Sequence, residues 1–417
     1  MISPLQFETL LEATKQVLRF VHPADAVLKH FFRDHKNLGM RDRGLIAETI
    51  YALLRKRSWL MQLTQSDQPR LLLLATLVKV QGWEVRATSG FTKPHERELL
   101  RAIVAAAPGH LSLPAETNFP DWLIQLYLKH HSRQELIALA DGLNQPGPLD
   151  LRVNTMHSDR ATVLAELAEI EVEASATPFS PVGIRVVGKP ALQQHRLLVE
   201  GHVEVQDEGS QLLGYLVAPK RGEMVVDFCA GAGGKTLLLG ALMHSTGRLY
   251  AFDISEKRLA NLKPRLKRSG LSNVQPVRIE HENDARIKRL AGKVDRVLVD
   301  APCSGLGTLR RNPDLKWRQS AEGNAELTIK QGNILAGAAP LLKRGGRLVY
   351  ATCSILKEEN EAVVETFLAA NPDFRLLNSQ DILRAQQIEI DCGENLQIFP
   401  HRHNTDGFFA AVLEKQS

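Results

Sequence analysis

Two of the four cysteines stand where a thiol can act as a nucleophile. Cys303 lies in Asp300-Ala301-Pro302-Cys303-Ser304-Gly305 and Cys353 in Thr352-Cys353-Ser354, and both loops directly follow short apolar runs, Arg296 to Val299 and Arg347 to Ala351. A cysteine placed on such a loop can attack an electrophilic carbon and form a covalent intermediate. The ordinary reading of a free cysteine is a small buried hydrophobe, and that reading is kept for Cys229 and Cys392. None of the four belongs to a CxxC pair or to a Cys/His cluster at zinc-ligand spacing, so neither a disulfide framework nor a metal site is expected.

A third loop supplies a different chemistry. Asp227-Phe228-Cys229-Ala230-Gly231-Ala232-Gly233-Gly234-Lys235-Thr236 packs glycines and alanines between an apolar run and a helix. Small residues let the backbone turn sharply and approach a ligand, and the free N–H groups of the helix start favour an anionic group. A phosphate-binding P-loop would need Gly five residues before Gly234, where this chain has Cys229, and no Asp-Glu pair ends a later strand. Asp253, about 20 residues beyond the glycines, can accept hydrogen bonds from both hydroxyls of a ribose. It can equally cap the helix that follows. Asp284 is a candidate acceptor for an adenine amino group, with a helix cap again as the alternative. Lys235 either neutralises a nearby carboxylate and helps anchor substrate, or simply starts a helix.

The elements that must position these loops are legible as apolar runs alternating with helical stretches. Runs at Met224 to Phe228, Arg248 to Phe252, Val274 to Ile279, Arg296 to Val299 and Arg347 to Ala351 are separated by helices near 235–244, 255–269 and 322–342. This alternation predicts an α/β domain with a doubly wound, mainly parallel sheet, whose ligands bind beyond the carboxyl ends of the strands. Before it, a composition change at Gln145-Pro146-Gly147-Pro148 opens a small α+β segment with strands at Leu149 to Val153 and Gly183 to Val187 and a helix from Ser158 or Asp159. From Pro4 to about Leu128 apolar residues recur at three- and four-residue spacing, as in Ile46, Ile50, Leu53 and Leu54, which predicts an all-helical domain. The expected division is 1–145, 146–205 and 206–417.

Composition narrows the function classes. The 417 residues are 44% apolar and 24% charged, with a net charge of +5 that leans toward a polyanionic partner. The longest apolar run, Leu71 to Val80, is half of the roughly 20 residues a membrane span requires, and Glu8 and Glu12 stand where a signal peptide would be basic. A cytoplasmic protein with no membrane partner is expected, a monomer by default.

The chain resembles the RNA cytosine-C5 methyltransferase family that includes the bacterial 16S rRNA enzymes. The resemblance rests on the Asp227 to Thr236 loop, Asp253, the Asp300 to Ser304 loop, the Thr352 to Ser354 loop and Gln206-Asp207-Glu208-Gly209-Ser210-Gln211. Glu358-Glu359-Asn360 and Asp406-Gly407-Phe408-Phe409 belong to it too. It covers roughly 149–414; the N-terminal 130 residues resemble more loosely the helical RNA-binding extension of the ribosomal branch. Two positions depart from the family pattern: Ala232 where Pro is frequent and Asn283 where Gly usually precedes the Asp. The resemblance implies a Rossmann-like fold that binds S-adenosyl-L-methionine through Cys229, Ala230, Gly231, Ala232, Gly233, Gly234, Lys235, Asp253, Arg258, Asp284 and Asp300. It implies transfer of a methyl group to C5 of a cytosine, most of all in 16S rRNA, with transfer RNA as the runner-up.

C5 of cytosine is too weakly nucleophilic to take a sulfonium methyl directly, and adding a thiolate to C6 makes C5 enamine-like. Residue types alone do not separate the two cysteines. By the family's pattern Cys353 attacks, Cys303 assists release of the product, and Asp300 lies between the cofactor's amino group and the base. The alternative for Cys303 is packing beside the base. Basic residues expected to meet phosphate are Lys257, Arg258, Arg265, Lys267 and Arg268 on one helix and Arg310, Arg311, Lys316 and Arg318 after the Pro-Cys loop, with Arg41, Arg43, Arg55, Lys56 and Arg57 in the helical region. Trp317 either shapes the base pocket or fills core. Two other classes fit the chain less well: a non-catalytic RNA-binding assembly factor, which would have lost Cys353 or the glycine loop, and a methyltransferase of protein or small molecules, which needs no paired cysteines.

Overall fold

The computed structural model describes residues 2–105, 109–188 and 190–416. They form two compact units, 1–146 with 308–321 and 147–307 with 322–417.

The first unit is helical. Helix Pro4–Val17 starts from a capping box in which Ser3 and Gln6 bond each other's backbone, and it buries Phe7, Leu10 and Leu11 against Ile50, Leu53 and Leu72. Helix Met40–Thr64 is broken at Lys56, where φ is −112° and ψ 17°. Beside that break Trp317 Nε1 bonds the carbonyl of Leu54 at 3.4 Å and Lys316 Nζ that of Arg55 at 3.5 Å. Lys316 is fully buried, its ammonium 2.7 Å from Asn144 Oδ1, and burial pulls its pKa well below the usual lysine value. Arg318 is held by Asp314 at 2.7 Å, and Arg310, also buried, donates to the carbonyl of Pro146.

These contacts correct the sequence reading of 308–321. Lys316 and Arg310 are buried and Arg318 is ion-paired, so they do not form the expected phosphate-binding group. Trp317, partly buried, packs against the core of the helical unit with the Arg57 guanidinium 4.8 Å over its ring. The segment thus belongs with the helical unit although its sequence lies inside the region expected to be the third domain. Charge along a sequence does not show which cations find buried acceptors.

The second unit holds two sheets. Strands β1 (Leu149–Val153), β2 (Ala174–Ala176), β3 (Gly183–Val186) and β4 (Val203–Val205) form an antiparallel sheet in the order β2-β3-β1-β4. The larger sheet contains β5 (Met224–Asp227), β6 (Arg248–Asp253), β7 (Val274–Arg278), β8 (Val294–Asp300), β9 (Leu342–Thr352), β10 (Phe374–Leu377), β11 (Leu396–Ile398) and β12 (Phe408–Lys415). Its order is β10-β12-β9-β8-β5-β6-β7, with β11 paired to β12. The five strands from β9 to β7 are parallel, and β12 returns antiparallel beside β9. Helices Gly234–Leu242, Glu256–Arg268 and Ala321–Ala338 lie among the crossovers, the last shorter than expected because the chain tightens into a 3-10 turn at Ala339–Leu341.

Both faces of this sheet are covered, as parallel sheets require. Val225, Ala251, Leu298 and Val349 enter one core, and their neighbours Val226, Phe252, Val297 and Leu348 enter the other. Because β5 and β8 are neighbours whose connections diverge, the loops after them flank the crevice where ligands bind in such sheets.

Replacing Lys316 with Ala should lower the stability of the protein by about 2–4 kcal/mol, since it opens a cavity and strands the Asn144 oxygen. Denaturant titration followed by helical circular dichroism checks this; a loss below about 0.5 kcal/mol, the range of an ordinary surface substitution, would contradict the buried placement.

Candidate active site

The glycine loop is shaped by its own backbone and by neighbours that the sequence either did not single out or assigned to phosphate. Gly233 has φ 84° and a Cβ there would stand 2.1 Å from Leu262, so the position excludes any side chain. A Cβ on Gly231 would meet nothing within 4 Å, leaving open space against the backbone. Arg265 donates to the carbonyl of Ala232 at 2.6 Å and Arg152 to that of Gly234 at 2.5 Å. Glu204 accepts from Arg265 and Arg268, each at best within 2.9 Å, which takes both arginines out of the expected phosphate-binding face. Arg152 and Glu204 sit on the smaller sheet, and only their pairing across the fold reveals their part.

The Gln206 to Gln211 motif has a similar scaffolding part. Asp207 caps helix Glu208–Val217 and accepts from the backbone of Asp406 at 3.1 Å. Buried Glu208 accepts from the N–H groups of Phe179 and Ser180, and burial pushes its carboxyl pKa up.

Three aspartates end the parallel strands. Asp253 accepts from the N–H groups of Gly231 at 2.8 Å and Ser255 at 2.7 Å and pairs with Arg258 at 3.3 Å. Asp227 is buried, accepts from Thr236 Oγ1 at 2.7 Å, and has no partner for Oδ1 among the described residues. Burial, opposed by the Thr236 bond and reinforced by Asp300, pushes its pKa up to about 7. Asp300 lies 2.7 Å from Lys235 Nζ across the β5–β8 crevice. Burial works against the lysine's charge, but Asp300 outweighs it and the pKa is raised. Lys235 therefore both neutralises a carboxylate and stands in the first turn of a helix.

Asp284 caps the short helix that follows it. Its carboxylate accepts from the N–H groups of Glu280 at 2.9 Å and Arg286 at 2.8 Å and meets the Arg286 side chain, a set of partners of the same kind as that of Asp253. Cys229 packs against the core beneath the glycine loop, where burial drives its thiol pKa far up. Cys392 is buried too. Among the described residues no group of three or more His, Cys, Asp or Glu could hold a metal ion, and no helix is long and apolar enough to cross a membrane.

The two cysteine loops converge. Cys303 Sγ and Cys353 Sγ are 3.3 Å apart, both partly exposed. The hydrogen bond to Cys353, with burial, holds the Cys303 thiol well above its ordinary pKa. Asn360 braces the Cys353 turn, accepting from Thr352 Oγ1 and donating to the carbonyl of Ser354 at 3.2 Å. Beside it Gly307 N–H donates to the Cys353 carbonyl at 2.8 Å and Gly407 N–H to that of Gly307 at 2.8 Å. A Cβ on Gly307 would lie 2.1 Å from the Gly407 carbonyl oxygen, so the terminal Asp-Gly-Phe-Phe motif is a close approach of two backbones under the active loop.

The unpartnered Asp227 oxygen, the open backbone at Gly231 and the two-oxygen carboxylate of Asp253 are the features a polar nucleoside-bearing ligand fits. One pH dependence follows from Asp227. Its folded pKa of about 7 exceeds the ordinary 3.8, so the folded protein holds the proton longer and stability falls as pH rises from about 4 through 7. Asp227→Asn should flatten that slope and gain on the order of a few kcal/mol at pH 8 relative to wild type. Urea titrations at pH 4 and 8 check this, and parallel profiles for the two proteins would refute it.

Comparison with known proteins bears on the same residues. The family model described as the 16S rRNA methyltransferase RsmB/F matches residues 214–414, and the RsmF/B-like ferredoxin-like domain matches 119–193. A probable ribosomal RNA small subunit methyltransferase B of Synechocystis sp. is 38% identical over 73% of this chain and 68% of its own length. Its counterpart in Bacillus subtilis is 27% identical over 94% of this chain and 95% of its own. The crystal structure of PH0851 superposes with a TM-score of 0.79 at 28% identity, covering 100% of this chain and 99% of that one. The chain belongs to the RsmB/F family of 16S rRNA methyltransferases, within the RNA cytosine-C5 methyltransferases, and is an S-adenosylmethionine-dependent RNA methyltransferase.

Proposed function

We propose that this enzyme methylates C5 of a cytosine in 16S rRNA through a covalent bond between Cys353 and C6 of the base. The observation that carries the reading is the 3.3 Å approach of Cys303 and Cys353 at the mouth of the crevice lined by Lys235 and Asp300. Methyl transfer to nitrogen or oxygen requires no such pair, whereas C5 of cytosine requires a thiolate to activate it. Bound S-adenosylmethionine supplies an electrophilic methyl group, and the glycine loop with Asp253 is its proposed seat.

Cys353 adds to C6, and the electron pair of the C5–C6 double bond becomes available at C5. Cys303 S–H donates to the Cys353 sulfur, which stabilises the thiolate before attack. After methylation the C5 proton is lost to solvent at the partly exposed pair, the double bond re-forms, and Cys353 leaves as a thiolate that the Cys303 S–H again stabilises as a hydrogen-bond donor. Lys235 holds Asp300 in place, so that its remaining lone pairs face the crevice as acceptors. The target cytosine has to leave its stack to reach Cys353, which favours a loop or bulge in the RNA. In this reading the working place is the cytoplasm, where ribosomal RNA is found.

Incubation with undermethylated 16S rRNA and labelled S-adenosylmethionine should place label on cytosine C5 with wild type. Cys353→Ala should lose at least about a thousandfold in rate. Cys303→Ala should accumulate a protein–RNA adduct visible on a denaturing gel. Activity surviving Cys353→Ala, or label elsewhere than C5, would overturn the reading.

A further inference from the structure

The two reactive loops carry the same dipeptide, Cys303-Ser304 and Cys353-Ser354, and both serines turn toward one side chain. Glu359 is fully buried. Its Oε1 accepts from the N–H of Ser304 at 2.8 Å and from Gln331 Nε2 at 2.9 Å. Its Oε2 accepts from Ser304 Oγ at 2.5 Å and from Ser354 Oγ in a shorter contact still. The serine oxygens are 3.2 Å apart. Each hydroxyl has one proton, and with both spent on Glu359 the two oxygens are held side by side by a shared acceptor rather than by each other.

Further bonds make the clamp rigid. Gln331 donates from the same nitrogen to the carbonyl of Pro302 at 3.0 Å, and Ser354 Oγ accepts from the N–H of Leu356 at 3.1 Å. Tyr350 Oη donates to the carbonyl of Glu359 at 2.6 Å, fixing the backbone that carries the carboxylate. Only an acceptor with two oxygens and no proton satisfies all four donors. Glu359 touches neither sulfur, yet both serines it holds are the residues next to the cysteines.

We infer that Glu359 is a positioning residue whose carboxylate locks the Cys303 and Cys353 loops together and so sets the distance between the two sulfurs. This rests on the proposed division of labour between the cysteines for its catalytic meaning, but the geometric claim can be read without RNA. In Glu359→Gln, Oε1 keeps its two N–H donors, while an amide NH2 faces two hydroxyls that must reverse. The pair Ser304→Ala/Ser354→Ala leaves Glu359 in place and removes the two hydroxyl ties.

Dibromobimane, which becomes fluorescent only when it bridges two neighbouring thiols, reads the sulfur separation directly in the full-length protein. Bridging of Cys303 and Cys353, identified by peptide mass spectrometry, should slow by about tenfold or more in both variants. Over the same comparison kcat on 16S rRNA should fall about a hundredfold, with KM for S-adenosylmethionine within about twofold of wild type. Wild-type bridging and kcat in either variant would overturn the inference. So would loss of S-adenosylmethionine binding in both, which would make Glu359 a general scaffold instead. Slower bridging alongside a wild-type enzyme that labels no cytosine C5 would leave the positioning claim standing and remove the proposed reaction.

Discussion

Strands β8 and β9 run parallel and side by side, with Asp300 in register with Ala351, and the chemistry of the site depends on that pairing. It brings together two cysteines fifty positions apart in the chain, because each lies just past the carboxyl end of its strand. Sheet hydrogen bonding fixes the strand ends to within a residue, and a slip of one residue would turn every side chain to the opposite face. The covered faces of the sheet make such a slip prohibitive. What remains for the loops is the last few ångströms, supplied by Asn360, by the Gly307–Gly407 contact and by the carboxylate of Glu359.

The electrostatics of the crevice are governed by two cations, Lys235 and Arg258, among three carboxylates. Lys235 is bonded to Asp300, Asp253 is neutralised by backbone N–H groups and Arg258, and Asp227 is left to burial. Three acids at the ends of adjacent strands would repel one another if all were charged without partners. The arrangement treats each differently: a lysine for Asp300, backbone donors with an arginine for Asp253, and for Asp227 a hydroxyl donor with burial that raises its pKa to about 7. Arg152 and Arg265 then bond loop carbonyls, fixing the glycine loop from the outside.

Much of this was legible in the sequence, and the remainder divides by physical cause. The parallel strands could be read because residues buried on both faces leave continuous apolar runs, although β9 starts earlier than expected, its Lys343-Arg344-Gly345-Gly346 opening carrying no apolar signal. The glycine loop, Asp253, Asp300 and both cysteines could be placed because strand ends locate them. Arg152 and Glu204 gave no comparable signal, since their partners lie more than 50 residues away, and Glu359 stood out only as part of a motif, its acceptor role showing once the two cysteine loops meet. The basic residues were read least well. Lys316, Arg310, Arg265 and Arg268 looked like phosphate ligands by charge, whereas the fold supplies each with an internal acceptor.

The most direct test of the covalent mechanism uses 16S rRNA containing 5-fluorocytidine, in which fluorine at C5 cannot leave as a proton and the adduct cannot break down. After incubation with S-adenosylmethionine and digestion, mass spectrometry should find the methylated nucleotide joined to the peptide that carries Cys353. Attachment to Cys303, or methyl transfer to the RNA with no covalent species, would contradict the assignment of Cys353 as the attacking thiol.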